Sequence, residues 1–320
     1  MHIANDPKIL IKLIGEHPVR LALGNFDGVH QGHRKLIRGL VDRATHGNEA
    51  SIVVTFVPHP AQYFGRNGGF KKIDTPLIQR GCLRDLSITG ILELNFNAEL
   101  ASMSGEDFID KILCGFNLLE IAVGSDFRFG RNRCGGVDLL KAEGLRRGFS
   151  ITVMETVEIE GVVASSSRVR TLLSEQGDVA MAAKVLGRPF SLIGRVQKGD
   201  QIGRQLGFPT ANLSDIHQVI PKTGVYSGTL KVLRELSSEL AAEEPMPCVV
   251  NIGVRPTVDA GNHTQVEAHV YDNECSTANL DLYGETVEIQ FLKRLRDEQK
   301  FENIEALKRQ ISKDIDAARD

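Results

Sequence analysis

Five short apolar runs in the first half of the chain narrow most sharply what it can fold into. They are VRLALGNF (19–26), SIVVTFV (51–57), ITGILELNF (88–96), LEIAVGSDF (119–127) and FSITVMETVEI (149–159). They are rich in valine and isoleucine and lack strict period-two alternation, which is the pattern of strands buried on both faces of a parallel sheet. Between the first two, HRKLIRGLVDRAT repeats apolar residues at helical spacing through Leu36, Ile37, Leu40, Val41 and Ala44. Alternating strand and helix predict an α/β domain with right-handed crossovers. SRVRTLLSEQ (167–176) and DVAMAAKVL (178–186) then read as two short helices, the second capped by Asp178.

Gly187 and Pro189 break this pattern, and the remainder of the chain has another period. FSLIGRVQKG, GVYSGTLKVL, PCVVNIGV, QVEAHVYD and ETVEIQFLKRL are strand-like and separated by Gly, Pro and Asn. Few helical periods intervene, so an antiparallel sheet or small barrel is expected. NIEALKRQISKDIDAA (303–318) closes the chain as an amphipathic helix with Ile304, Leu307, Ile311 and Ile315 on one face. The expected domains are residues 1–186 and 187–320, and a chain of 320 residues is long enough for each to bury a core.

Charge and cysteine usage exclude several function classes. The formal net charge is −3, with 22 basic and 21 acidic side chains in residues 1–187 and 16 and 20 in the rest. Neither half carries the basic field of a polyanion-binding module, so no nucleic-acid partner is expected. The five cysteines, at 82, 114, 134, 248 and 275, are widely spaced without a C-x-x-C pair. That argues against a disulfide framework or a zinc site and fits reduced thiols in a cytoplasm. Asp6, Lys8 and Lys12 interrupt MHIANDPKILIKLIGEHP, so no secretory h-region is read there. No run approaches the about 20 apolar residues of a membrane span.

The segment with most chemical content is GNFDGVHQGH (24–33), set between the first strand and the first helix. A helix N-terminus offers unpaired N–H groups and the positive end of a dipole to a phosphate. Gly24 and Gly28 permit close backbone approach, and His30 and His33, three apart, face one ligand from an early helical turn. Imidazoles there suit hydrogen bonding to charge that develops on a phosphate. By itself the string also admits a loop with solvated histidines, or zinc, although no third Cys or His ligand is evident nearby.

In this form GNFDGVHQGH resembles the H-x-G-H motif of nucleotidyltransferases as found in prokaryotic bifunctional riboflavin kinase/FMN adenylyltransferases, and other segments match that family in order. TFVPHP (55–60) resembles its flavin-proximal segment, VGSDFRFG (123–130) its V-G-x-D/N-F-x-F-G, and SSSRVR (165–170) its S-S-T-R-I-R. GFPTAN (207–212) resembles the P-T-A-N motif of the riboflavin kinase module, and GVYSG, NIGVRPT, VEAHVYD, DLYGE and FLKRLRDEQKF continue the match to residue 301. The resemblance implies a Rossmann-like nucleotidyltransferase domain followed by an antiparallel β-barrel kinase domain. It also implies Mg²⁺ and the small-molecule substrates riboflavin, FMN and ATP, in a cytoplasmic monomer or weak homo-oligomer.

Carried over by position, His30, His33 and Arg170 are catalytic in adenylyl transfer, with Gly24, Asn25, Phe26, Asp27, Asp126, Ser166 and Ser167 around ATP. Pro58, His59, Pro60, Phe64 and Phe129 line the flavin. In the kinase module Glu267 is the base toward the ribityl hydroxyl. Gly199, Gly203, Arg204, Thr210 and Asn212 bind ATP, and Thr210 and Asn212 also hold the metal. Ser167 stands where the family commonly has threonine, Val258 where an aromatic is common, and NECSTAN (273–279) lengthens a usually short link. Three readings compete: an adenylyltransferase for another phosphorylated metabolite, a kinase with a degenerate first domain, and a non-enzymatic flavin- or RNA-binding regulator. The P-T-A-N set opposes the first and intact His30, His33 and Arg170 the second. Retained phosphate ligands and the lack of a basic surface oppose the third.

Overall fold

A computed structural model describes residues 1–65, 69–198, 206–236, 239–242, 244–256, 262–271 and 282–319. The chain divides into two compact units, Met1–Lys72 with Pro76–Ser166, and Ile73–Thr75 with Ser167–Asp320.

The first unit is built on one parallel sheet. Its strands are β1 (His2–Ala4), β2 (Val19–Leu23), β3 (Ala50–Val57), β4 (Gly90–Asn95), β5 (Leu118–Gly124) and β6 (Ser150–Met154), in the order β1-β4-β3-β2-β5-β6. Each of the five apolar runs supplies one of β2–β6. The cause of their missing alternation is visible in the packing. Leu21, Leu23, Ile52, Val54, Ile121 and Val123 point into one core. Ala22, Val53, Ile91 and Ala122, from the same sheet, point into a second. The edge strand β1 is too short to carry a period, and no sequence signal marks it.

The helices of this unit include α1 (Pro7–Ile14), α2 (Gln31–Gly47), α3 (Pro60–Phe64) and α4 (Pro76–Arg84). Leu36, Ile37 and Leu40 of α2 sit in the second core, over the small Ala22 and Ala122 of the sheet. Arg20 of β2 and Arg43 of α2 both bind Glu120 of β5, at 2.6 Å each. Burial alone would push the Glu120 carboxyl up, but hydrogen bonds from Arg43, Thr152 and Arg20 outweigh it and hold the group below its ordinary value. From β2 the chain passes outward through β3 to β4, then returns to β5 on the other side of β2. The C-terminal ends of β2 and β5 therefore flank a topological switch point, where open α/β sheets bind ligands.

The second unit holds a closed antiparallel barrel. Its strands are β7 (Phe190–Gln197), β8 (Ala211–Ser214), β9 (Gly224–Leu236), β10 (Met246–Pro256), β11 (Asn262–Val270) and β12 (Thr286–Arg296). They pair in the order β9-β10-β11-β8-β7-β12, and β12 returns to β9 to close the ring. A short strand, Glu239–Ala242, extends β9 as a hairpin. Closure leaves none of the six strands as a free edge along its paired length. The strand β8 overlaps P-T-A-N, a stretch whose glycines and proline read as turn.

Three helices precede or follow the barrel: α5 (Ser166–Thr171), α6 (Val179–Leu186) and α7 (Ile304–Arg319). Asp178 caps α6 as expected, accepting from Met181 N at 2.9 Å. On α7, Ile311, Ile315 and Ala318 pack with Val225, Val249, Tyr271 and Phe208. Ile304, expected on the same buried face, is 58% exposed, because it begins the helix beyond this contact. Arg296 of β12 grips Asp314 of α7 through two hydrogen bonds, at 2.8 and 2.7 Å. The segment Ile73–Thr75 is held by buried groups. Asp74 pairs with Arg188. Gln218, fully buried, donates to Ile73 O and Ser191 O at 2.8 Å each and accepts from Ile193 N at 2.8 Å.

Candidate functional site

In the first unit, the ten residues 24–33 lead from the end of β2 into α2. Backbone geometry there is unusual: Phe26, Gly28 and Val29 have φ of 49°, 85° and 38°. Only glycine enters that region without cost, so the two side-chain-bearing residues need outside support. Hydrogen bonds supply it. Thr55 Oγ1 donates to Asn25 O at 3.0 Å and Ser166 Oγ to Asp27 O at 2.8 Å. Gln79 Nε2 donates to the carbonyls of Asn25 and Phe26. Arg34 Nε donates to Val29 O at 3.2 Å. Asp27 and His30 are buried within this turn.

The turn delivers His30 to the N-cap of α2, where its Nδ1 accepts from His33 N at 3.4 Å. An accepting Nδ1 leaves the proton of the neutral ring on Nε2. The His30 and His33 rings stack with centroids 3.6 Å apart and planes 22° apart. The Phe26 and His33 rings meet in a T-shaped contact. Gly32 has to be small, since a Cβ there would stand 3.2 Å from the His30 ring and 3.3 Å from Ala164 O. Burial drives the His30 pKa down to about 4, only partly opposed by the Asp126 charge. Burial, and then the His30 charge, hold His33 well below its ordinary value. Both rings are therefore neutral at pH 7. His33 Nδ1 is buried without a protein hydrogen-bond partner, so it is open to a bound water or a ligand. The described residues contain no group of three or more His, Cys, Asp or Glu able to hold a metal ion.

The remaining residues predicted for adenylyl transfer fall into distinct places, with Ser167 and Arg170 belonging to the second unit. Asp126 follows β5 across the switch point, with Oδ1 3.2 Å from where a Cβ on Gly124 would be. His59 caps α3, accepting from Ala61 N at 3.0 Å, while Gln62 returns a bond to His59 N. Pro58 follows a cis peptide and Pro60 opens α3. His59 stacks on Phe70 at 4.5 Å, and Phe64, 61% exposed, meets Tyr63 and Phe96 edge-on. Phe129 is buried against Phe108 and Phe127 rather than presented at a surface. Ser166, Ser167 and Arg170 lie on α5, with Ser166 half-buried, Ser167 exposed and Arg170 half-buried.

In the second unit the antiparallel register sets Asn212 of β8 opposite Glu267 of β11. Gln265, two residues before Glu267 and on the same face, joins them. Its Nε2 donates to Asn212 Oδ1 at 2.5 Å and to Glu267 Oε1 at 2.7 Å. Asn212 Nδ2 lies 3.4 Å from Thr210 Oγ1. His269, next on that face, bonds Pro209 O at 2.8 Å, and burial lowers its pKa despite that bond. Thr210, Asn212 and Glu267 thus form one cluster. Gly199, Gly203, Arg204, Val258 and the 273–279 link lie outside the described residues. The reading of single residues misses Gln265 and Gln79. Period-two alternation on β11 points to Gln265, whereas Gln79 reaches its partners only through tertiary packing.

Two family models match the chain, FAD synthetase over residues 15–168 and riboflavin kinase over residues 186–320. Curated proteins named bifunctional riboflavin kinase/FMN adenylyltransferase are similar along almost its whole length. The one from Escherichia coli K12 is 37% identical, covering 94% of this chain and 91% of its own. Those from Pseudomonas fluorescens and Bacillus subtilis are 37% and 34% identical, covering 93% and 92% of this chain and 91% and 89% of their own. A solved structure named macrolide-efflux protein, from Streptococcus pneumoniae, superposes with a TM-score of 0.83 at 27% identity, covering 99% of this chain and 98% of that one. No helix among the described residues of the present chain is long and apolar enough to cross a membrane. Two matching family models and relatives at 34–37% identity over more than nine-tenths of the chain leave one assignment: the chain belongs to the bifunctional riboflavin kinase/FMN adenylyltransferase family.

Proposed function

We propose that the chain converts riboflavin to FMN and FMN to FAD at two separate sites, with adenylyl transfer assigned to residues 1–186 and phosphoryl transfer to 187–320. The observation that carries the first assignment is the stacked, neutral His30–His33 pair at the start of α2, with its orphaned Nδ1. An FMN phosphate oxygen bonds to the α-phosphorus of ATP as the bond to the departing pyrophosphate breaks. Neutral imidazole N–H groups, His30 Nε2–H foremost, donate to oxygens on which charge builds. Gly24, Asn25, Phe26, Asp27, Asp126, Ser166, Ser167 and Arg170 surround the nucleotide in this reading. The exposed aromatic Phe64, with Pro58, His59 and Pro60, forms the flavin wall, and Phe129 backs it from the core.

In the kinase reaction Glu267 accepts the proton of the ribityl hydroxyl, whose oxygen bonds to the γ-phosphorus as ADP leaves. Thr210 and Asn212 would hold Mg²⁺. The donors suit that ion, since a hydroxyl and an amide oxygen are hard ligands. When bound, Mg²⁺ neutralises charge on the phosphates. The negative net charge and the free cysteines support a cytoplasmic enzyme with no nucleic-acid partner, as a monomer or weak homo-oligomer.

Purified protein incubated with riboflavin, ATP and Mg²⁺ is expected to yield FMN and then FAD by chromatography. Absence of both products overturns the reading. His30→Ala with His33→Ala is expected to stop at FMN, lowering FAD formation by about 10²–10³-fold. Glu267→Ala is expected to block FMN formation yet still convert supplied FMN to FAD. Equal loss of both steps in either variant contradicts two sites.

A further inference from the structure

Gln79 of α4 is only 4% exposed, and its amide is committed at both ends. Its Nε2 donates to Asn25 O at 2.9 Å and to Phe26 O at 3.1 Å. Its Oε1 accepts from Lys72 Nζ at 3.1 Å, and Lys72 is itself buried. An ammonium only donates, so Lys72 fixes the oxygen end of the amide toward itself and turns the NH₂ end to the two carbonyls. The same contact polarises the amide and strengthens its N–H donors.

What those donors hold is the left-handed Phe26. The ring of Phe26 lies over Gly24, where a Cβ would stand 3.1 Å away, and it meets the His33 ring in a T-shaped contact at 5.1 Å and 71°. A residue in this backbone region persists only while its surroundings over-determine it. Loss of the Gln79 donors leaves the Phe26 carbonyl with the backbone bond from Val29 N at 3.2 Å, and so loosens the ring against which His33 rests. Thr55 anchors Asn25 O as well, but among the described residues Gln79 is the side chain that bonds the Phe26 carbonyl.

We propose that Gln79 is a positioning residue for adenylyl transfer: by holding the Asn25 and Phe26 carbonyls it sets the Phe26 ring that orients His33. This rests on the reading of His30 and His33 as the adenylyl-transfer pair. The histidines act on charge that appears in the transition state, so misplacing them lowers kcat more than it raises KM.

The test compares Gln79→Leu, which keeps the bulk and removes both donors, with Gln79→Glu, which keeps an acceptor for Lys72 but turns a carboxylate toward two carbonyls. FAD formation from supplied FMN and ATP is expected to fall about tenfold to a hundredfold in kcat. Each KM is expected to stay within about threefold. FMN formation from riboflavin should be unchanged. The His33 imidazole proton signals, shifted by the Phe26 ring, should move in ¹H–¹³C spectra. Lys72→Met, which loses only the orienting ammonium, should give a smaller loss of the same kind and decides the matter if neither Gln79 variant folds. An unaltered kcat, an unmoved His33 signal, or a parallel fall in both activities overturns the proposal. His30→Ala separates the two levels: if it retains FAD formation the underlying reading fails, and if it alone loses activity only the role of Gln79 fails.

Discussion

A histidine kept neutral by burial makes folding sensitive to acid, and His30 and His33 share that burden. The folded pKa of His30, about 4, lies below the ordinary value of 6.5, so between these limits the unfolded chain binds a proton that the folded chain does not. Stability from this group is complete above pH 6.5 and is lost as pH falls toward 4. At about 1.4 kcal/mol per pH unit the His30 contribution is roughly 3 kcal/mol. Thermal melts across this window should show the loss, and His30→Phe should reduce it, leaving the part that the buried His33 contributes; an equal slope in the variant would assign the effect elsewhere. The residue types are legible here without coordinates, because two histidines and two glycines between a strand and a helix point to a phosphate-holding turn. The stacking of the rings and the orphaned nitrogen are not, since both depend on the fold of the turn and on Gln79 arriving from outside the motif.

At the scale of elements, β2, β5 and α2 are tied by one carboxylate. Glu120 is nearly fully buried and receives Arg20 and Arg43 together. Glu120→Gln should lower unfolding free energy by roughly 2 kcal/mol, measured from urea midpoints. The cost is below that of a wholly enclosed pair because the Arg43 side chain remains 42% exposed and can be solvated. The Glu120 pKa is depressed, so its stabilisation is present above the ordinary carboxylate value of 4.5 and is lost as pH falls through the lower folded value. Below that range, wild type and variant should converge. At α6, Asp178→Ala removes a cap that accepts from Met181 N and should cost about 1 kcal/mol. That cap is readable from an aspartate after a glycine and before an apolar helical run. The strand Ala211–Ser214 is not, because Gly207 and Pro209 signal a turn while pairing with both β7 and β11 makes the next residues a strand.

At the scale of the molecule, the second unit draws three residues from far upstream. Asp74, fully buried, meets Arg188 of the chain entering the barrel, and Gln218 seals the adjoining backbone. Asp74→Leu leaves the Arg188 charge without this carboxylate and should destabilise the second unit by about 3–5 kcal/mol. Residues 187–320 expressed alone, lacking the same segment, should melt below the corresponding transition of the full chain. Equal melting temperatures would show that the segment adds nothing.

The chain's own residues determined its two-part architecture. Apolar runs without alternation require cover on both faces, and only a parallel sheet with helices on each side provides it. Regular short strands with turn residues between them require closure against one another. Motif strings placed the candidate chemistry at the start of α2 and on the barrel strands. Tertiary structure alone decided which distant groups complete those sites. Register put Asn212 opposite Glu267 with Gln265 between them, packing brought Gln79 to the turn before His30, and a segment of three residues joined a unit formed almost wholly by later sequence. Periodicity is a local property carried by neighbouring residues, whereas these contacts join residues tens of positions apart, whose meeting depends on how the layers close.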